Sequence, residues 1–228
     1  MESLDLYAKV EPLLGIEEAT KELHAYYLDQ IAQYQPETLL DVGCGDGSFL
    51  SAVKVAGIVG AGIDLSQVMV DRAKAKGLSV ACQNIKDAIG AYDVITSIFD
   101  VLNFLDKASF ETFFLNVSRL LKPGGHFLAD INTLYGFSEV AQGVLAHDDE
   151  QQSLIVDAEF LDGELHTKFA YFEKHDEVYE KSTAHIVQYF YEIEDILKLT
   201  DLELQIEMPI NLYAQEPDKV ILCFEKPL

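Results

Sequence analysis

Positive charge is scarce in this sequence. It carries 16 lysines and arginines against 39 aspartates and glutamates, a formal charge of −23, and residues 132–228 hold 21 of the acids but only 6 of the bases. Sequence-independent nucleic-acid binding relies on Lys and Arg displacing counterions from phosphates. The densest basic group is Arg72, Lys74 and Lys76, so a DNA or tRNA partner is disfavoured. Cysteine is nearly as scarce. Cys44, Cys82 and Cys223 form no CxxC pair, and no histidines cluster at ligand spacing, which indicates neither a disulfide framework nor a metal site. Long apolar runs are missing too. The longest, Val55 to Ile63, is half of the ~18–20 residues a membrane helix needs, so no span is expected. The opening MESLDLYAKVEP places acids where a signal peptide needs a basic and then an apolar stretch, and a cytoplasmic location is expected. With 6 prolines, no low-complexity tract and 49% hydrophobic residues, the 228-residue chain reads as one globular domain with an excursion.

Hydrophobic period and punctuation predict strand and helix in alternation from residue 38 onward, hence a parallel sheet. Thr38 to Val42, Ile58 to Ile63, Leu78 to Ala81, Tyr92 to Ser97 and His126 to Ile131 read as strands. Helices are expected over Ser48 to Ala56, from a Ser66 cap to Lys76, and over Ala108 to Leu121, stopped by Pro123-Gly124-Gly125. Before them, Ala19 to Tyr34 places Leu23, Tyr27, Leu28 and Ile31 at helical spacing. After residue 132 the period becomes twofold: Leu154 to Leu161, Glu164 to Glu173 and Val178 to Tyr191 predict three antiparallel strands, the first turn at Asp162-Gly163. Thr133 to Val144 reads as a loop or helix. A helix at Glu192 to Thr200 and strands at Glu203 to Met208 and Lys219 to Glu225 follow. Ten residues between the last two are too few for a helical crossover, so these pair antiparallel.

The densest chemical signal is Asp41-Val42-Gly43-Cys44-Gly45-Asp46-Gly47, an acid closing a strand and then glycines at alternate positions before a helix. Glycine lets the backbone turn sharply and lets a ligand lie against it without a Cβ in the way. Dinucleotide folds use GxGxxG, and here Ser48 stands where the third glycine belongs. A carboxylate at Asp41 would repel a pyrophosphate but suits a ligand bearing a sulfonium and an α-amino group. Seventeen residues beyond Gly47, Asp64 closes the second strand, about where a βαβ unit delivers an acceptor to ribose hydroxyls.

LLDVGCGDG, GIDLS, AYDVITS and LKPGGHFLADI, in this order and spacing, resemble the motifs of the class I S-adenosylmethionine-dependent methyltransferases, and DVLNFL resembles a segment of bacterial members that act on small molecules. The resemblance covers almost the whole chain after residue 38. It implies a Rossmann-like seven-stranded sheet with the last strand antiparallel, S-adenosylmethionine as cofactor, and an acceptor covered by the three-stranded antiparallel insertion after the fifth strand. The chain then divides into an N-terminal helical segment 1–37, a core of 38–131 and 192–228, and an insertion of 132–191. Gly43, Cys44 and Gly45 would abut the methionine part, Asp41 would reach its amino group, and Asp64 with Leu65 would hold the ribose. Asn84 and Ile85, or Asp87, would meet the adenine, and Ile98 and Asp100 would lie where methyl and acceptor meet.

Methyl transfer is an in-line displacement that needs alignment, and a base only if the nucleophile arrives protonated. His185, on the third insertion strand, is the sequence's choice for that base, beside Asp100. The acidic second half favours an amine-bearing small molecule as acceptor. A protein or RNA acceptor, a non-catalytic cofactor-binding subunit and a dehydrogenase are the alternatives.

Overall fold

Two helices precede the first strand in the computed structural model, which describes residues 2–228. They are α1, Glu2–Val10, and α2, Glu17–Tyr34. The alternation then begins: β1 Thr38–Val42, α3 Ser48–Val55, β2 Val59–Asp64, α4 Gln67–Ala75, β3 Val80–Cys82, β4 Tyr92–Ser97, α5 Lys107–Leu120 and β5 Leu121–Asn132. Local chemistry sets the helix starts. The Ser66 hydroxyl accepts from the Met69 amide ahead of α4, and Asp106 accepts from Ser109 ahead of α5, each satisfying an amide with no partner inside its helix.

Past β5 comes a single wide turn of helix, Gly136–Ala141, and then β6 Gly143–Asp148, β7 Gln152–Leu161, β8 Glu164–His175 and β9 Val178–Tyr189. The chain closes with α6 Ile193–Leu197, β10 Glu203–Ile210 and β11 Lys219–Glu225. The larger sheet has the order β10-β11-β5-β4-β1-β2-β3, with β11 antiparallel to both its neighbours and β1 to β5 mutually parallel. The smaller sheet, β6-β7-β8-β9, is antiparallel throughout.

The insertion therefore has four strands where the periodicity predicts three. The extra strand, GVLAHD, escapes a period-two reading because it is an edge with little to bury on either side: Val144 and Leu145 are both exposed. A second difference lies at the N-terminus. Leu6 and Val10 of α1 bury against Leu154, Val156, Phe169, Tyr171 and Ile186 of the insertion, so this helix belongs energetically to the smaller sheet. Helix α2 instead puts Leu23, Tyr27 and Ile31 on one face of the larger sheet with Phe49, Val94 and Leu128. The other face carries Phe110, Phe113, Phe114 and Val117 of α5 against Leu40, Ile95, Phe127 and Phe224. Burial on both faces explains the near-continuous apolar strands, and each fully buried aliphatic or Phe side chain contributes about 1.5–3 kcal/mol.

The wide turn is locked to the chain ahead of β11 by contact at Gly136. A Cβ built there would stand 2.2 Å from the Asp218 carbonyl oxygen, a backbone atom that cannot step aside. Gly136→Ala is expected to destabilise the fold by about 1–3 kcal/mol through overpacking. A urea midpoint unchanged from the parent would contradict this contact.

Candidate functional site

Parallel strands ending together gather their loops at one edge, and here that edge carries most of the chain's unusual polar groups. At the end of β1 the amides of Gly43 and Cys44 both donate to the Ile63 carbonyl, at 2.8 and 3.0 Å, which ties the glycine loop to β2. Gly43 and Gly45 have φ of 78° and 52°, where a side chain is strained. Their surroundings differ in an informative way. A Cβ on Gly43 would lie 2.6 Å from Val101 Cγ2, whereas one on Gly45 would meet nothing within 4 Å. The loop is thus packed against the segment after β4 on one side and open on the other.

Under this loop lie two carboxylates with little compensation. Asp41, 2% exposed, accepts from the Thr96 hydroxyl at 2.8 Å. Burial pushes its carboxyl up to about 7, the Thr96 hydrogen bond opposing and the Asp64 charge adding to the rise. Asp64 takes the Gly45 amide on one oxygen at 2.9 Å and the Ser66 amide on the other at 2.8 Å. Burial still holds it above the usual carboxylate range. An open glycine backbone over two electron-rich acids suits a ligand that brings positive charge and hydroxyl donors, and opposes a polyanion.

The other expected residues divide. Asn84 follows β3, is exposed, and caps a short turn by accepting from the Lys86 amide at 3.0 Å. Ile85 turns inward to the α5 side of the core, Cys44 and Ile98 are buried on the α2 side, and Leu65 is at the surface, 45% exposed. Cys44 packs beneath Gly62, where a Cβ would come within 2.7 Å of its sulfur, so what it can offer a ligand is its backbone.

After β4 the chain adopts a conformation that the sequence does not announce. Phe99 and Asp100 both have positive φ, 69° and 63°. Their amides donate to the two oxygens of the fully buried Asp130, at 2.8 and 3.0 Å, and the Tyr27 hydroxyl adds a third bond at 2.8 Å. Lys219, the first residue of β11, reaches Asp100 Oδ1, Asn132 Oδ1 at 3.0 Å and Asp130 Oδ2 at 3.5 Å. Burial alone would lower the Lys219 pKa; Asp100 and Asp130 outweigh it and hold it above the ordinary value. Sequence reasoning missed Asp130, Asn132 and Lys219, which join Asp100 in this cluster. The available signal was an acid within the largely apolar strand HFLADIN and a lysine heading the apolar run of KVILCFE.

Between this edge and the inner face of the smaller sheet lies a cavity of about 400 Å³, within the range of small-molecule sites. Phe99, Asp100 and Lys219 line it from the larger sheet, Phe169 and Ile186 from the smaller, and Tyr7 from α1. His185 does not face it, which corrects the sequence expectation. Ile186 and Gln188 point into the cavity, and strand alternation sends His185 to the opposite face. There it is exposed and lies 3.2 Å from the His166 ring nitrogen.

Comparison with known proteins agrees with this geometry. Residues 39–125 match the model of a methyltransferase domain. A candidate methyltransferase of Geobacillus sp. (strain WCH70) is 28% identical over 182 residues, 71% of this chain and 74% of that protein. The ubiquinone biosynthesis O-methyltransferase of Saccharophagus degradans is 31% identical over 139 residues, 56% of each chain. An S-adenosylmethionine-dependent methyltransferase from Clostridium acetobutylicum superposes with a TM-score of 0.80 at 22% identity, covering 98% of this chain and 100% of that one. The sugar N-methyltransferase KedS8 from Streptoalloteichus gives 0.74 at 15% identity, covering 99% and 93%.

The raised Asp41 carboxyl carries a pH signature. Its folded pKa lies above the unfolded value, so the folded state binds its proton more tightly, and this stabilisation fades as pH rises from about 4 through about 7. Asp41→Asn, neutral at every pH, is expected to stabilise the ligand-free protein at pH 8 by up to about 4 kcal/mol and to change little at pH 4. Melting curves at both pH values check this; equal shifts at the two would count against it.

Proposed function

We propose that this chain, whose residues 39–125 match a methyltransferase domain, is a class I S-adenosylmethionine-dependent methyltransferase that methylates a small amine-bearing molecule held in the cavity beneath the insertion. The observation that carries the reading is the shared wall. Val101 packs against Gly43 of the glycine loop while its neighbours Phe99 and Asp100 line the cavity, so a ligand on the loop and one in the cavity meet across a single turn of chain.

The cofactor brings an electrophilic methyl on a sulfonium. In this reading the chain's own residues supply position. The backbone of Gly43, Cys44 and Gly45 lies against the methionine part, and Asp41 receives its ammonium directly or through water. Asp64, flanked by Leu65, accepts from the ribose hydroxyls. Asn84 offers its amide to the adenine edge, with Ile85 and Ile98 holding the loops that frame the ring and the methyl. Asp100 faces the acceptor. Its carboxylate accepts the hydrogen of the attacking nitrogen, which orients the lone pair toward the methyl.

Three further facts support an amine. The chain's charge is −23, the carboxylate of Asp100 lines the cavity next to Val101, which packs on Gly43, and two structural neighbours are a sugar N-methyltransferase and an amino pentose methyltransferase. The likeness to an O-methyltransferase favours a hydroxyl acceptor as the second reading. A cavity roofed by the smaller sheet disfavours a protein or RNA chain.

The direct test is calorimetric titration with S-adenosylmethionine, S-adenosylhomocysteine and NAD, and then a labelled-methyl assay on amines and phenols. Binding of the first two with transfer to an amine is the expected result. Transfer only to hydroxyls supports the second reading, and binding without transfer points to a cofactor-binding subunit. Asp64→Ala is expected to weaken S-adenosylmethionine binding by about 1.5–3 kcal/mol, since hydrogen bonds to a charged partner are lost; unchanged affinity would remove Asp64 from the site.

A further inference from the structure

Lys219 is 1% exposed at the head of a strand whose next five residues are apolar. A buried ammonium persists only where carboxylates and neutral oxygens saturate its three hydrogens, and the partners it has found are unequal. Asp130 already takes hydrogens from Tyr27, Phe99 and Asp100, so its charge is shared among several donors. The Asp100 carboxylate has one donor among the described residues, Lys219 itself on Oδ1, and stands on the cavity wall with Oδ2 left over. Lys219 also lies 5.5 Å from the centre of the Phe99 ring. The turn that carries Phe99 and Asp100 is strained at two successive residues and needs its surroundings to over-determine it. Asp130 does so through the backbone, Lys219 through the side chain.

We propose that Lys219 is a positioning residue for the transfer: anchored by Asp130 and Asn132, it holds the Asp100 carboxylate immobile between the glycine loop and the cavity, with Oδ2 free to accept a hydrogen from the attacking group. This rests on the reading that the loop holds S-adenosylmethionine. The other ionisable groups facing the pair are Asp130 from β5, Tyr27 from α2, Tyr7 from α1, and Tyr213 and Asp218 from the segment ahead of β11. Asp218 is occupied by the amides of Leu212, Tyr213 and Ala214. Burial holds the Tyr7 and Tyr213 hydroxyls far above their usual range, which leaves them neutral between pH 6 and 8.5.

The probe is sinefungin, an analogue that carries a primary amine in place of the sulfonium methyl, compared with S-adenosylhomocysteine, which has nothing there. Calorimetric titration of both from about pH 6 to 8.5 is made on the parent, Asp100→Asn, Lys219→Met and Lys219→Arg. The parent is expected to prefer sinefungin by about tenfold or more, the size of one charge-assisted hydrogen bond. Asp100→Asn loses the preference and keeps its affinity for S-adenosylhomocysteine, while Lys219→Arg retains both. Lys219→Met loses the preference and keeps its affinity for S-adenosylhomocysteine, because the Asp100 side chain, released from its anchor, is free to turn away from the analogue's amine. A preference that survives Asp100→Asn, or its absence from the parent, overturns the proposal. So does a Lys219→Met variant that weakens both ligands alike at every pH, the mark of a merely structural role. Should Lys219→Met fail to fold, Asp100→Asn and Lys219→Arg still decide. If the parent binds neither analogue, it is the underlying cofactor reading that falls.

Discussion

A single buried carboxylate, Asp130, joins the pieces from which the cavity wall is made. It receives a hydroxyl from α2, two amides from the turn after β4, and the ammonium from β11. Burying a charge without such partners is prohibitive, and removing one partner leaves the rest uncompensated. The four elements are therefore committed to one mutual arrangement. Packing around them, Tyr27 against Phe49 and the Lys219 ammonium over the Phe99 ring, is compatible with several small displacements. The hydrogen-bond set is not, since its lengths and directions are narrow.

That commitment divides the sheet's edge into two electrostatic regions. On the Asp130 side every acid has a cation or a cluster of amides. On the glycine-loop side Asp41 and Asp64 have hydroxyl and amide donors but, among the described residues, no cation at hydrogen-bond distance. The folded chain alone holds this second region at a cost, visible in the raised carboxyl of Asp41. A bound cation relieves it, so part of the binding energy is built into the ligand-free fold as unneutralised charge.

The smaller sheet supplies the cavity's other wall by strand alternation. Phe169 and Ile186 point inward while His166 and His185 point out. Helix α1 closes the gap between the two sheets. It packs Leu6 and Val10 on the insertion, takes an Arg72 hydrogen bond from α4 to the Ala8 carbonyl at 2.7 Å, and accepts the Ser66 hydroxyl on Asp5. It thereby touches the cavity through Tyr7 and the loop at the end of β2 through Ser66, the neighbour of Leu65.

The sequence alone determined the strands of the larger sheet, the antiparallel last strand, the glycine loop, and Asp41 and Asp64 at the strand ends. These are local matters: period, turn chemistry and the steric needs of a few consecutive residues are all written within a short window. The edge strand Gly143–Asp148, the seat of α1 on the insertion, the outward direction of His185 and the Asp130–Lys219 cluster were decided only by the tertiary structure. Edge strands and short helices take their shape from partners distant in the chain, and Lys219 lies 89 residues from Asp130. A lysine at the head of an apolar strand has no visible counter-charge until the sheet sets β11 beside β5. Register, which sends His185 out and Ile186 in, depends on where a strand pairs, and no single strand carries that information.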